Sequence, residues 1–551
     1  MLRTLVVLFL CFLCLPLHAD QRLDILIKGG RIVDGSGNPW YVGNVGIQNG
    51  KIVLIDRRIE AAAKRTINAK GLVVAPGFID IHSHSDYKLF VDGRAMSKIY
   101  QGVTTEVLGE GGSAGPFQGK LKPRVVETKQ GDVQFTTLGG YFRAIEKSRT
   151  SVNVCSYVGL SNIWRCVMGD TFDRPSSEQI EQMKKLVDQA MRDGALGLSS
   201  QLMMPPGSLA RTDEVIQLAR VAARHGGIYS SHIRNEGTGV FASIKEAIEI
   251  GRQAKIPVDI IHLKIAEQKL WGRMKEIVAL IEQARRDGIQ VQANVYPYTR
   301  GNNNLRSIIP PWAHEGGRGK MLERLKDPAL RKRLKRDIRN GVPGWYNHFT
   351  AVGGDWGRML VAGNNRFKGL TMDRVMSLRT RNKNNVDKLD ELFEFLLEEG
   401  GSVSTVYAHH TEKDMNLALQ QPWCSVGSDG SAYATSGKLR VGNPHPRNFG
   451  TFPRVLGRYV RQRKLLRLED AIRKMTSLNA AKIGLRDRGL LVVGFAADVT
   501  VFDPKTIIDR AEYTNPFQYA AGVHYVIVNG QLVLAQGKHT GAKPGRPLRR
   551  R

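Results

Sequence analysis

The segment Phe78-Ile79-Asp80-Ile81-His82-Ser83-His84-Ser85-Asp86 ends an apolar run with two histidines one residue apart. In a strand, alternate side chains share a face, so His82 and His84 point the same way. By itself an H-x-H pair is a weak signal. Two more histidines close comparable runs, His232 in Tyr229-Ser230-Ser231-His232-Ile233-Arg234-Asn235-Glu236 and His262 in Ile260-Ile261-His262-Leu263-Lys264. Asp429 closes another, in Gly427-Ser428-Asp429-Gly430. Four imidazoles and a carboxylate at strand ends compose a metal-binding set. Imidazole nitrogen suits zinc, and positions left open on such a metal leave room for water. The remaining histidines, among them His225, His409, His410 and His445, lack this placement and are expected to be structural.

Eight strand-like runs are positioned to carry these residues: Phe78–His84, Thr104–Gly109, Ser151–Gly159, Gly194–Ser200, Gly227–Ile233, Val258–Lys264, Gln290–Pro297 and Cys424–Gly430. Amphipathic stretches such as Ser177–Asp193 and Thr212–His225 lie between them. Strands alternating with helices indicate an α/β chain with a parallel sheet, and eight of them indicate a (β/α)8 TIM-like barrel with its chemistry at the C-terminal strand ends. The barrel is expected over residues 76–484. The seventh and eighth strands are too far apart for one crossover, which predicts a basic inserted subdomain at about 302–344. Short β-rich pieces with Gly and Asn turns occupy 20–75 and recur at 485–545. Each set alone would expose unpaired edges, so the two are expected to combine into one small β-sandwich domain.

The chain has 551 residues, 81 Lys and Arg against 51 Asp and Glu, and a formal net charge of +30. With 42% hydrophobic and 24% charged residues it is too apolar to be mostly disordered. The basic runs Arg331-Lys332-Arg333, Lys335-Arg336 and Arg458–Arg467 lack interleaved aromatics and Gly-rich loops. They are expected to be solvated helix faces, not a nucleic-acid interface, with the charge steering anionic substrates or favouring an acidic envelope. Met1–Asp20 has Arg3, an apolar run from Leu5 to Leu15, Pro16 and Ala19. It is expected to be a signal peptide cleaved near Ala19, giving a secreted or periplasmic protein with no stable membrane span. Cys11 and Cys14 would leave with it. Cys155, Cys166 and Cys424 are expected to stay as buried thiols.

Taken in order, FIDIHSHSD, GVTTEVLGEG, SHIRNEG, IIHLK, NVYPY, GSDG and HPRNFGTFPRVLG resemble the amidohydrolase superfamily and, within it, the D-aminoacylases, or N-acyl-D-amino-acid deacylases. The resemblance extends over nearly the whole mature chain, including the opening ILIKGGRIVDGSGNPW and the closing GFAADVTVFDP and YVIVNG. It implies metal ligation by His82, His84, His232 and His262, one or two zinc ions (Zn2+), and Asp429 as general base and acid. It implies a small-molecule N-acyl amino acid whose free carboxylate meets Lys264, Tyr296 and Arg447; Tyr298 and Arg234 are added as further candidates for the mouth. The preference for D substrates rests wholly on the resemblance. The same site would suit a dipeptidase for D-residue-containing peptides or a cyclic amide hydrolase. A non-catalytic envelope-binding protein on the same barrel is the alternative of a different class.

One departure stands out. Where the D-aminoacylase pattern places a zinc-binding Cys, this chain has Gly111 in Gly109-Glu110-Gly111-Gly112. Many amidohydrolases bridge two metals with a carbamylated Lys from the fourth strand, yet 194–201 contains no Lys. Glu110 is the expected bridging ligand. The alternatives are a mononuclear site without it, or a carboxylate that only orients a histidine. Glu106, inside the second strand, is the weaker choice.

Overall fold

The computed structural model describes residues 22–550 apart from 59, 129 and 130. The expected signal peptide lies outside the described residues. The barrel strands, numbered here β1 to β8, are Phe78–Asp80, Val103–Leu108, Asn153–Ser156 with its continuation Val158–Gly159, Gly197–Gln201, Ile228–His232, Val258–Ile260, Val291–Val295 and Cys424–Val426. Each pairs in parallel with the next. Most residues in them are buried, because helices cover the outer face and side chains fill the interior. One covering helix, Ser177–Arg192, opens on a capping box between Ser176 and Gln179 and buries Ile180, Met183, Val187 and Met191.

β1 is shorter than the expected run to His84, and the chain bends at Ile81 and His82 before it reaches the barrel's closure. Ser83 bridges Gly430 in parallel, His84 N donates to Gly430 O at 2.8 Å, and Asp429 N donates to His82 O at 2.8 Å. The seam between first and last strands therefore runs through three of the residues singled out for chemistry. Beneath it lies a charged cluster. Lys98 Nζ is 2.6 Å from Asp80 Oδ2 and 3.7 Å from Glu106 Oε2, and none of the three side chains is exposed. Ser428 N donates to Asp80 Oδ1 at 2.8 Å, and the hydroxyls of Ser83 and Ser85 donate to Glu106.

Strands from both ends of the chain join into one nine-stranded sheet. Its junction is the antiparallel pairing of Val73–Pro76 with Val499–Phe502. Ile27, Val45, Ile47 and Ile52 share a core with Val499, Val501 and Ile527. The Arg-rich C-terminus is not a free tail. Gly545 and Pro547 bridge Thr150 and Val154, Leu548 packs on the cluster that holds Ile79 and Val107, and Arg549 reaches Glu146 at 3.1 Å.

The insert is longer than the expected 302–344. Gly301–Asn304 pairs antiparallel with Ser404–Tyr407, which pairs with Met359–Val361. Leu305, Met321, Leu334, Phe393 and Tyr407 share a separate core. The unit closes only when the strand at its far end returns to the first, so it runs to Tyr407. Its basic helix, Pro328–Asn340, is also less free than a solvated face. Lys335 pairs with Asp390 at 2.6 Å, Arg339 with Asp387 at 2.7 Å and Arg331 with Glu394 at 2.6 Å.

Removing Lys98 would leave Asp80 and Glu106 buried without their cation. A Lys98→Met variant is expected to lose about 3–5 kcal/mol of stability in urea denaturation. A loss under about 1 kcal/mol would contradict a role in holding the seam.

Candidate active site

A cavity of about 520 Å³ opens at the C-terminal strand ends, lined by His84, Glu110, His232, His262, Lys264, Tyr296, Asp429 and Arg447. Its outer wall comes in part from the insert, including Asn302, Asn303, His348 and Asn364, with His409 just past the insert's end. His82 lies beneath, with 2% of its surface exposed. The nine residues expected as ligands, acid and base or carboxylate contacts thus meet in one place.

Their atoms form two groups. His82, His84 and Asp429 offer ligand atoms within 4.8 Å of one another, and so do Glu110, His232 and His262. Glu110 spans the two. Its Oε2 is 3.9 Å from His82 Nε2 and 3.8 Å from His84 Nε2, while its Oε1 is 3.3 Å from His232 Nδ1. His84 Nε2 lies 3.0 Å from Asp429 Oδ1, and His262 Nε2 lies 3.0 Å from His232 Nδ1. Burial alone would raise the Glu110 carboxyl, but His232 first, then His82 and His84, bring it down to about 2. Asp429 follows the same logic. Burial is outweighed by the guanidinium of Arg447, 2.7 Å away, and by His82 and His84, so its carboxyl sits well below the usual range. Both acids are therefore anionic at neutral pH.

Two tests support a metal here. Both nitrogens of His82 and Nε2 of His232 are buried with no hydrogen-bond partner, which is costly for imidazoles unless something else binds them. Burial also drives the His82 imidazole well below its ordinary pKa, toward the neutral ligand form. The donor set of histidine nitrogens and carboxylate oxygens suits zinc.

Local backbone explains why Glu110 takes this role. Gly109 and Gly111 are left-handed, at φ +84° and +63°. A Cβ at Gly111 would stand 2.6 Å from Gln201 Cβ, so no side chain fits there, and the carboxylate that reaches the histidines belongs to the preceding residue. β4 has no lysine. It contributes Ser199, whose hydroxyl accepts from Gly111 N at 2.6 Å and donates to Gly109 O at 2.9 Å, fixing the turn. His262 and Asp429 are themselves at φ +39° and +50°, a conformation that non-glycine residues hold only when the surroundings enforce it.

Glu106 is engaged in the seam cluster below and is not a ligand candidate. Tyr298 hydrogen-bonds Asp509 at 3.3 Å, and Arg234 is bound by Glu246 and two carbonyls, so neither lines the cavity. Tyr296 and Arg447 do, with the guanidinium 4.8 Å from the ring centre. Tyr296 Oη and Arg447 Nε are buried and unpartnered. Lys264 Nζ lies 2.5 Å from Glu236 Oε1 and 2.8 Å from His262 Nδ1. Glu236 was missed from sequence. It sits in the SHIRNEG segment four residues past His232, but beyond the strand, where a period-2 argument does not reach. His348, His409 and His445 were set aside as structural, yet all three line the cavity. His445 Nδ1 accepts from Arg447 N at 3.0 Å and so helps place the guanidinium.

A closed (β/α)8 barrel with this ligand cluster at its mouth defines an amidohydrolase-type site. The chain belongs to the amidohydrolase family, whose profile matches residues 65–297 and 430–534 and passes over the insert, and within that family to the D-aminoacylases. D-aminoacylase from Alcaligenes xylosoxydans xylosoxydans is 34% identical over 536 residues, 96% of this chain and 98% of that protein. The crystal structure of N-acyl-D-glutamate deacylase from Bordetella bronchiseptica, complexed with zinc and a phosphonate inhibitor that mimics the tetrahedral intermediate, matches with a TM-score of 0.78. It is 30% identical and covers 96% of this chain and 100% of that one. A structure of D-aminoacylase determined to define the role of its binuclear metal centre also gives 0.78, at 32% identity over the same shares.

A Gly111→Ala substitution is expected to destabilise the protein by roughly 1–3 kcal/mol, through strain and overlap with Gln201. Thermal unfolding measures this, and an unchanged melting temperature would contradict the steric account of the Glu110 turn.

Proposed function

We propose that this protein hydrolyses the amide bond of N-acyl-D-amino acids in a zinc-dependent reaction, releasing a carboxylate and a free D-amino acid. The observation that carries the reading is Glu110 reaching both histidine groups in a cavity that also holds the cationic pair Lys264 and Arg447 around Tyr296. His82, His84 and Asp429 would hold metal on one side and His232 and His262 on the other, with Glu110 between. When bound, zinc supplies Lewis acidity toward the amide carbonyl and toward a water molecule.

The chain's own residues do the rest. Asp429, anionic and facing the ligand group, takes a proton from water and returns it to the leaving nitrogen. The return matters because an unprotonated amide nitrogen is a very poor leaving group. Arg447 and Lys264 receive the substrate carboxylate, the first as a planar fork and the second as a point charge, and the unpartnered Tyr296 hydroxyl adds a donor. Arg447 also binds Asp429, so a substrate carboxylate shares that guanidinium and loosens its hold on the base. Substrate binding thereby makes Asp429 a better proton acceptor as it aligns the amide. The apolar run and Ala19 near the N-terminus support export to the periplasm with the signal peptide removed.

The direct test is a panel of N-acetyl-D-amino acids, their L forms and D-terminal dipeptides, assayed with and without zinc. Cleavage of the N-acetyl-D series, lost on chelation and restored by zinc, is expected. Turnover confined to L substrates or dipeptides, or indifferent to chelation, would overturn the reading. Asp429→Asn is expected to lower kcat by about 10²–10⁴-fold, and near-parental turnover would remove its acid and base role. Arg447→Met is expected to raise KM by roughly 10-fold or more, the scale of a lost charged hydrogen bond.

A further inference from the structure

Beside the catalytic cavity lies a second one of about 350 Å³, between the ends of β2–β4 and the insert. The two share Gln201, Asn303 and Asn304 in their walls, so they adjoin. Arg165, Arg306 and Arg318 line the second cavity. Arg165 pairs with the half-exposed Asp170 at 3.1 Å. Among the described residues, neither Arg306 nor Arg318 has a carboxylate partner. Arg306 is the more buried, and its guanidinium pKa is lowered by burial first and then by the like charges of Arg318 and Arg165. Three guanidiniums around one cavity with a single carboxylate form a site of strong positive potential.

We propose that this cavity is an acyl-side subsite for a second carboxylate, so that the preferred substrates are N-(ω-carboxyacyl)-D-amino acids. The proposal rests on the deacylase reading above. Its direction follows from the order of the strands. The residues assigned to the α-carboxylate follow β6, β7 and β8, whereas the arginine cavity lies over β2, β3 and β4. The ligand cluster sits between these arcs. An amide held by its α-carboxylate on one arc, with its carbonyl at the cluster, directs its acyl chain to the other.

The test uses the full zinc-loaded enzyme and one D-amino acid carrying N-acetyl, N-butyryl or N-hexanoyl groups, or N-succinyl, N-glutaryl or N-adipoyl groups. At some chain length the carboxylate-ended acyl group should exceed its methyl-ended counterpart by about 10-fold or more in kcat/KM, the scale of a charged hydrogen bond. Arg306→Gln should abolish that preference while leaving N-acetyl turnover unchanged. The absence of any preference, or one that survives in an Arg306→Gln, Arg318→Gln double variant, would overturn the subsite. So would an Arg306-dependent preference for N-acetyl-D-glutamate over N-acetyl-D-glutamine, which would place the anion on the amino-acid side chain. If the parent enzyme cleaves no N-acyl-D-amino acid, the deacylase reading fails instead. Calorimetry with glutarate then tests the subsite alone: binding by the parent and not by Arg306→Gln supports it, and no binding ends it.

Discussion

Glu110 places one carboxylate where four imidazoles converge, and much of the site depends on that placement. Its two oxygens face different histidines, so a single side chain sets the spacing between the two halves of the cluster. The turn that delivers it is built for the purpose, with left-handed glycines on both sides, contact with Gln201 behind and the Ser199 hydroxyl across its mouth. Gly111 leaves no room for a side chain, and the carboxylate that reaches the histidines comes from the residue before it.

Fold and site are held by the same bonds. The barrel closes through backbone hydrogen bonds of His82, His84 and Asp429, and the ion pair of Asp80 with Lys98 lies just beneath. Destabilising the seam would displace ligands, and displacing ligands would open the seam. The strained conformations of His262 and Asp429 fit this arrangement, since a closed barrel can enforce what an open sheet would relax.

The strand-end residues were legible because a period of two and a common position at the end of an apolar run are sequence properties. His82, His84, His232, His262 and Asp429 all satisfy them. Glu110 became visible only through the departure from a family pattern. Glu236, His348, His409 and His445 were not visible, because loops and the insert bring them to the cavity and neither has a period. The insert's true end was hidden for a related reason: Ser404–Tyr407 belongs to it only by pairing with Gly301–Asn304, a contact distant in sequence. Net charge misled in part, since the basic helix is matched by Asp390 and Glu394 of the helix Lys388–Glu398 and by Asp387, which caps it.

Arg447 links the two ends of the proposed chemistry by touching both the base and the place of the substrate carboxylate, but its role presupposes the cluster that Glu110 spans. The most direct measurement is anomalous diffraction at the zinc edge from zinc-loaded crystals. Two peaks are expected, one among His82, His84 and Asp429 and one beside His232 and His262, with the Glu110 carboxylate between them. A single peak, or two peaks with Glu110 turned away, would contradict it.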